Sequence, residues 1–116
     1  MQIDIARIGA QLAKTMIASL RSDSRKVRAL AASEAAKLAQ ALAEIARLLA
    51  AGEIDNYEAA VLLRIQRNAS EAVFAALAEV SRLSARKAVG LGLGAVIQLV
   101  DGAIGVPLIA SLTKGK

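Results

Sequence analysis

The segment from Ala88 to Leu112 constrains this chain most, because it is almost wholly apolar and dotted with glycines. Gln98 and Asp101 are its only strongly polar side chains. A chain of 116 residues buries only a modest core, so an apolar run of this length needs a cover. We expect that cover to be lipid, the rest of the fold, or other copies of the chain.

The apolar segment is also long enough to cross a membrane at residues 89–112, since a bilayer core takes about 20 residues. Its Val, Leu and Ile side chains favour insertion by on the order of 5 kcal/mol, whereas Asp101 near the centre opposes it by about 3 kcal/mol. Gln98 and the glycines further reduce the net free energy that favours insertion. The composition therefore permits a membrane span without requiring one.

Two shapes remain open for this segment. A single long helix suits its length, whereas Asp101-Gly102 suits a turn that would divide it. In either shape Pro107, just after Gly105, should end or kink the helix. Asp101 is then a buried proton or ion site, a partner for Arg82, Arg86 or Lys14, or a cap for backbone amides. We favour the cap.

The first half of the chain has the 3.6-residue period of amphipathic helices. Residues 1–21 predict one helix, whose apolar stripe consists of Ile5, Ile8, Leu12, Met16 and Leu20. Ser22 to Ser24 then provide N-cap residues for a second helix over residues 25–50. Its predicted buried stripe consists of Val27, Leu30, Ala31, Ala35, Leu38, Leu42, Ile45 and Leu49.

A tight turn follows the second helix. Gly52 suits the left-handed position after a helix end, and Asp55 with Glu58 has the spacing of a capping box. The turn predicts a third helix over residues 56–87 that runs back antiparallel to the second. Its predicted buried stripe consists of Leu62, Ile65, Ala69, Val73, Ala76, Val80 and Leu83.

These elements predict an all-α fold in a single domain over residues 1–116. It comprises an amphipathic N-terminal helix (1–21), an antiparallel helical hairpin (25–87, with arms at about 25–50 and 56–87) and an apolar, Gly-rich helical segment (88–113). One hairpin makes a seam only one helix wide, so its remaining apolar faces need another layer. The N-terminal helix and the apolar segment are the candidates for that layer.

Composition argues against an enzyme. The chain has no histidine and no cysteine, so it lacks the commonest general base, the commonest metal ligand and any thiol nucleophile. Its carboxylates lie beside basic residues or at helix starts, as ordinary surface charges do. The letters of a dinucleotide fingerprint occur at Gly90 to Ala95, but a charged helix precedes them where a strand is required. We expect no catalytic residue, no metal site and no cofactor.

The net charge of +5 favours acidic partners. Because the third helix returns to the start of the second, the topology should gather basic residues at one end of the hairpin. We call this set the basic collar: Arg21, Arg25, Lys26, Arg28, Arg82, Arg86 and Lys87. We favour a solvated set of surface charges; as a partner, anionic lipid headgroups would suit such a collar. Duplex DNA would be attracted by the same charges, but Tyr57 and Phe74 are the only aromatic residues, and nucleic acid is the less favoured partner.

We therefore expect a non-enzymatic structural subunit that forms a homo-oligomer through its apolar C-terminal segment and its alanine-rich helix seams, with anionic lipid or a membrane as a further partner. The residues expected at the oligomer or membrane interface are Leu91, Leu93, Val96, Ile97, Val100, Ile104 and Leu108. The first alternative is a small membrane-spanning pore or holin-like protein with residues 89–112 as the span. The second is a basic nucleic-acid-associated protein. Charged residues interrupt residues 1–24, which is not typical of a secretory signal, so we expect a cytoplasmic or membrane-associated protein.

Overall fold

Five helices and the start of a sixth make up the computed structural model, which describes residues 3–110. The sixth starts at residues 108–110, and the described residues contain no strand, so the all-α prediction is confirmed. The five helices are α1 (Ile5–Leu20), α2 (Arg25–Ala50), α3 (Asn56–Ala75), α4 (Arg82–Ala95) and α5 (Ile97–Ile104).

Short polar side chains start the first four helices. Asp4, Ser24, Asp55 and Ser81 each accept a hydrogen bond from a backbone N–H of the first turn, which satisfies a donor that the helix itself leaves unpaired. The predicted capping box between Asp55 and Glu58 is present in full. Gly52 has a φ of 76°, the left-handed conformation expected for it.

The first four helices form an antiparallel bundle. The main contacts of α1 are with α2 and α4, and those of α3 are with the same two helices, so the four close into a ring. The connections at residues 21–24, 51–55 and 76–81 are short, and short connections make consecutive helices antiparallel. α5 packs on α2 and α4. The hairpin of the second and third helices is therefore one side of this bundle.

The bundle core consists mainly of aliphatic side chains from all four helices. Ile8, Leu12 and Met16 of α1 are fully buried, in agreement with the predicted stripe. Gly92 of α4 is the close contact: a Cβ atom there would lie 3.0 Å from Met16 Cγ and 3.3 Å from Leu12 Cδ2. This glycine lets α4 approach α1, and the approach covers much of the apolar segment.

The third helix is shorter than predicted. α3 ends at Ala75 and the chain turns over residues 76–81 before α4 begins, whereas the sequence predicted one helix over 56–87. Alanine-rich sequence does not itself break a helix. The break buries Val80 in the core, and Ser81 Oγ accepts from the Ser84 N–H at 3.0 Å to start α4. If residues 56–87 formed one straight helix, α4 could not fold back to form the fourth helix of the bundle.

The predicted buried stripe of α3 was wrong over most of its length. Leu62 is 37% exposed, Ile65 is 54% exposed, and Ala69 and Ala76 are exposed. The adjoining face points inward instead, and its buried residues are Ala59, Leu63, Ser70 and Phe74. Both faces are apolar enough for a core, so periodicity alone selected the wrong one.

The apolar segment bends at Val96 rather than at Asp101-Gly102. Residues 97–104 form α5, whose axis makes an angle of 50° with that of α4, and α5 ends at Gly105 with a φ of 77°. The predicted end of the helix before Pro107 is confirmed. The last residues of the predicted segment, 111–113, and the first two of the predicted N-terminal helix lie outside the described residues.

Candidate functional site

Most of the residues expected at an oligomer interface lie inside the chain's own bundle. Leu93, Val96 and Val100 are fully buried. The other four divide as follows: Leu108 is buried, Ile97 and Ile104 are half-buried against the core, and Leu91 is 49% exposed. Of the seven, Leu91 alone offers a largely open surface to a partner. The cover that the apolar segment requires comes mainly from the rest of the fold.

Asp101 is a cap within the fold. Its carboxylate is buried and accepts hydrogen bonds from the backbone N–H groups of Ile109 at 2.8 Å and Ala110 at 2.9 Å. This confirms the favoured interpretation of Asp101 as a residue that satisfies backbone amides, although the amides lie eight and nine residues along the chain rather than beside Gly102. The geometry gives Asp101 a structural role.

A second buried carboxylate was not anticipated from the sequence. Glu34 of α2 is 4% exposed. Its Oε1 accepts from Ser70 Oγ of α3 at 3.4 Å, and its Oε2 pairs with Lys37 Nζ at 3.1 Å. Glu34 lies one turn from Leu30 and one turn from Leu38, both in the predicted apolar stripe, and this spacing is the signal that could have placed it beside the core. The contact ties α2 to α3.

Within residues 3–110 no three Asp or Glu side chains come close enough together to hold a metal ion. The pKa of the exposed Glu44 carboxyl is lowered chiefly by a hydrogen bond from Arg47, and the pKa of Arg47 is raised by the same bond. This is an ordinary helix-surface ion pair. The candidate functional features are therefore surfaces.

The first candidate surface is the outward stripe of α3. Leu62, Ile65, Ala69, Ala72 and Ala76 follow one another at spacings of three and four residues, and all five are exposed. This is the a/d spacing of a helix that packs against a partner helix. We call these five residues the outer seam. The sequence predicted four of these five residues for the buried stripe of the third helix, but the structure leaves them uncovered within one chain.

The second candidate surface is a shallow groove of about 240 Å³ between α1 and α2. Its exposed rim is made of small apolar side chains, and we call it the alanine groove. The lining residues are Ile5, Ala6, Gly9, Ala10, Ala32, Ala36, Ala39 and Gln40. Small side chains permit close approach of another backbone.

The seven basic-collar residues lie at one end of the bundle, where α1 ends and where α2 and α4 begin. All seven collar residues are exposed, and Ser24 Oγ at the start of α2 donates to Glu79 Oε2 beside α4 at 3.2 Å, which brings the two parts of the collar together. None of the seven forms a salt bridge to another residue in the range 3–110. Leu83, between Arg82 and Arg86, is 72% exposed.

Two collar residues belong to a cleft that sequence reasoning missed. Arg21 and Lys87 line an opening of about 430 Å³ between α1 and α4, together with Lys14. We call it the basic cleft, and its other lining residues are Gln11, Thr15, Ala18, Ser19 and Leu91. A signal existed: Gln11, Lys14, Thr15 and Ala18 share one face of α1 by their helical spacing. The partner helix α4 could not be paired with that face from sequence.

No single helix among the described residues is both long and apolar enough to span a bilayer; α4 and α5 satisfy length and composition only as a pair, with the 50° bend between them.

Comparison of the chain with protein-family models, curated proteins and solved structures finds no match. Only the surfaces described above therefore bear on function.

Proposed function

We propose that this protein is a non-enzymatic helical subunit that associates with copies of itself through the outer seam of α3. The observation that carries the proposal is the exposure of Leu62 and Ile65, at 37% and 54%, in register with the exposed Ala69, Ala72 and Ala76. Two large apolar side chains one turn apart, followed by small residues at a/d spacing, are unfavourable to leave in water, because apolar area contributes about 25 cal/mol per Å² when buried.

The partner that fits the seam is a second copy. A face that reads large-to-small along one helix is self-complementary when two copies pack antiparallel, because Leu62 and Ile65 of one then meet the alanines of the other. A two-fold axis through the seam would bury the same residues on both copies, which is the commonest form of homo-oligomer interface. The alanine groove is the competing surface for the same function.

Sedimentation velocity over a range of concentrations tests this proposal. We expect wild type to self-associate and Ile65→Glu to be monomeric, because an ionised carboxylate at the centre of the seam would have to be desolvated without a partner. Gln98→Glu is the matched control, since Gln98 is exposed on α5 and lies outside both surfaces. Circular dichroism should show an unchanged fold in both variants.

The outcomes separate the two surfaces. If Ala36→Glu in the alanine groove dissociates the assembly and Ile65→Glu does not, the groove is the interface and the seam is not. If wild type is monomeric at every concentration in buffer without detergent, the proposal of self-association is wrong.

Attachment to an anionic membrane surface is the second candidate function. It is favoured by Leu83, whose 72% exposure occurs among collar cations that have no ion-pair partner within residues 3–110. An apolar side chain ringed by basic residues suits an interface at which the leucine enters the acyl boundary and the cations meet headgroups.

Co-sedimentation with vesicles of phosphatidylcholine and phosphatidylserine tests the second candidate. Leu83→Ser should weaken binding, whereas Tyr57→Ser, at a side chain of α3 that is 77% exposed and lies outside the outer seam, should not. Release by high salt supports peripheral attachment. Retention until detergent is added would favour insertion of the α4–α5 pair and would contradict surface attachment.

A further inference from the structure

We propose that the basic cleft between α1 and α4 is a binding site for a phosphate group, such as the headgroup of an anionic phospholipid. The site lies on the side of α1 opposite the alanine groove, because residues 11, 14, 15 and 18 are turned by roughly half a circle from residues 5, 6, 9 and 10. It is therefore independent of the proposed self-association. The identification of the phosphate as a lipid headgroup rests on the proposed membrane attachment, whereas binding of phosphate itself does not.

The charges of the cleft are one-sided. Lys14, Arg21 and Lys87 line it, no carboxylate does, and none of the three forms a salt bridge within the described range 3–110. Three cations around one opening repel each other, and a bound anion would replace that repulsion with attraction. The C-terminal half of α1 lies beside the N-terminal half of α4, so the two helix dipoles oppose each other. The side-chain charges therefore decide the sign of the potential.

Arg21 is held at the cleft in a costly backbone conformation. It has φ 51° and ψ 41° at the end of α1, and it is the one non-glycine residue with a positive φ among residues 3–110. The left-handed conformation is unfavourable for a residue other than glycine, because its Cβ atom crowds the backbone. Glycine would end the helix more favourably at this position. A glycine would, however, remove the Arg21 guanidinium from the cleft.

Neutral donors complete the wall. Gln11, Thr15 and Ser19 line the cleft on α1. Ser19 Oγ has no hydrogen-bond partner among the described residues, but it is shielded from solvent and would reach a ligand only after its side chain rotates. Phosphate oxygens accept several hydrogen bonds at once, so the Gln11 amide, the Thr15 hydroxyl and three cations form a donor set that matches phosphate better than a carboxylate.

The apolar residues at the cleft point to an amphiphile. Leu91 is 49% exposed at its edge, and Leu83 at 72% lies two turns earlier on the same face of α4, with Lys87 between them. A leucine, a cation and a leucine along one stripe suit a phosphate that carries an apolar chain. Nucleic acid is less well matched, because the cleft has no aromatic residue on which a base could stack.

The test compares two triple variants that remove the same charge from the same end of the molecule. Lys14→Gln/Arg21→Gln/Lys87→Gln empties the cleft of cations; Arg25→Gln/Lys26→Gln/Arg28→Gln removes three collar cations that do not line it. Binding is measured to phosphatidylcholine vesicles with and without phosphatidic acid. It is repeated in the Ile65→Glu background, so that loss of self-association cannot imitate loss of binding. Thermal unfolding checks that both triples fold.

We expect the cleft triple to weaken binding to phosphatidic acid vesicles by about tenfold or more and the control triple by less than about threefold. In a second arm, inorganic phosphate is titrated into ¹⁵N-labelled protein. Shifts at the amides of Thr15, Ser19 and Lys87 without vesicle binding would assign the site to free phosphate. That result would contradict the proposed membrane attachment and support the phosphate site. Shifts in this arm together with vesicle binding would assign it to the lipid.

Three results would overturn the inference. The first is an equal loss of vesicle binding in both triples, which would mean general attraction to a charged surface. The second is the absence of response in both arms. The third is that duplex DNA binds more tightly than the vesicles and that both triples lose this binding equally. The basic collar as a whole would then bind a polyanion through its net charge.

Discussion

The carboxylate of Asp101 holds the backbone of Ile109, whose N–H donates to Asp101 Oδ1 at 2.8 Å. The second oxygen accepts from the N–H of Ala110 at 2.9 Å. These amides belong to the helical turn at residues 108–110. One buried side chain thus caps a helix that starts after Gly105 and Pro107, and it fixes the path by which the chain returns to the core at Leu108 and Ile109.

Asp101→Ala should lower the free energy of unfolding by about 1–3 kcal/mol, because it leaves buried amides without this acceptor. Asp101→Asn should cost less, since one amide oxygen remains to accept. Urea denaturation measures both. Gln98→Ala in the same helix is the control and should change stability by no more than about 0.5 kcal/mol. Equal stability of Asp101→Ala and the control would contradict the cap.

Two glycines of α4 should respond differently to alanine. A Cβ at Gly90 meets nothing within 4 Å, whereas a Cβ at Gly92 would lie 3.0 Å from Met16 Cγ. Gly90→Ala should therefore stabilise the protein by up to about 1 kcal/mol through helix propensity. Gly92→Ala should lose that gain, because the buried Met16 and Leu12 have to shift. Thermal and urea unfolding of the pair measure the difference; a larger gain at Gly92 would show that α1 and α4 pack less closely than described.

Leu91 and Leu93 provide a matched pair within the apolar segment. Leu93 is fully buried and Leu91 is 49% exposed. Leu93→Ala should therefore lower the free energy of unfolding by about 2–5 kcal/mol, and Leu91→Ala by much less. If Leu93 instead formed an interface between copies, its truncation would change the sedimentation coefficient and leave the stability of the monomer intact.

Ser70 and Glu34 should be energetically coupled across α2 and α3. Ser70→Ala removes one of the partners of a carboxylate that is 4% exposed, and we expect a cost of about 1 kcal/mol. In a Glu34→Ala background the same change should cost close to nothing. A double-mutant cycle by urea denaturation gives the coupling. Lys37→Ala, at the exposed end of the ion pair, should have the smaller effect, and zero coupling for Ser70 would contradict the contact.

Much of the local structure was predictable because its causes are local. A capping box at Asp55 and Glu58, a left-handed glycine at Gly52 and a serine cap at Ser24 are all determined by residues within one turn of each other. The apolar stripes of α1 and α2 were predictable because only one face of each helix is rich in large side chains. The end of α5 before Pro107 followed from the covalent restriction of proline.

The candidate surfaces were only partly predictable. The basic collar followed from chain direction, since antiparallel helices return charges such as those of Arg25 and Arg82 to one end. The basic cleft did not, because Lys14 and Lys87 are distant in sequence and only the approach of α4 to α1 at Gly92 brings them together. The outer seam was recognised as an apolar stripe, but its exposure depends on which face of α3 the core uses.

By itself, then, the sequence determined the helical class, the bounds of the second helix and the turn and capping box that follow it, since each depends on neighbours along the chain and on the geometry of one helix turn. Only the tertiary structure decided that the chain turns after Ala75, that Phe74 rather than Ile65 enters the core, and that Leu93, Val96 and Val100 are covered by the same chain. Each of these outcomes depends on which of several apolar faces pack against each other. The free-energy differences among such packings arise from contacts between residues far apart in sequence.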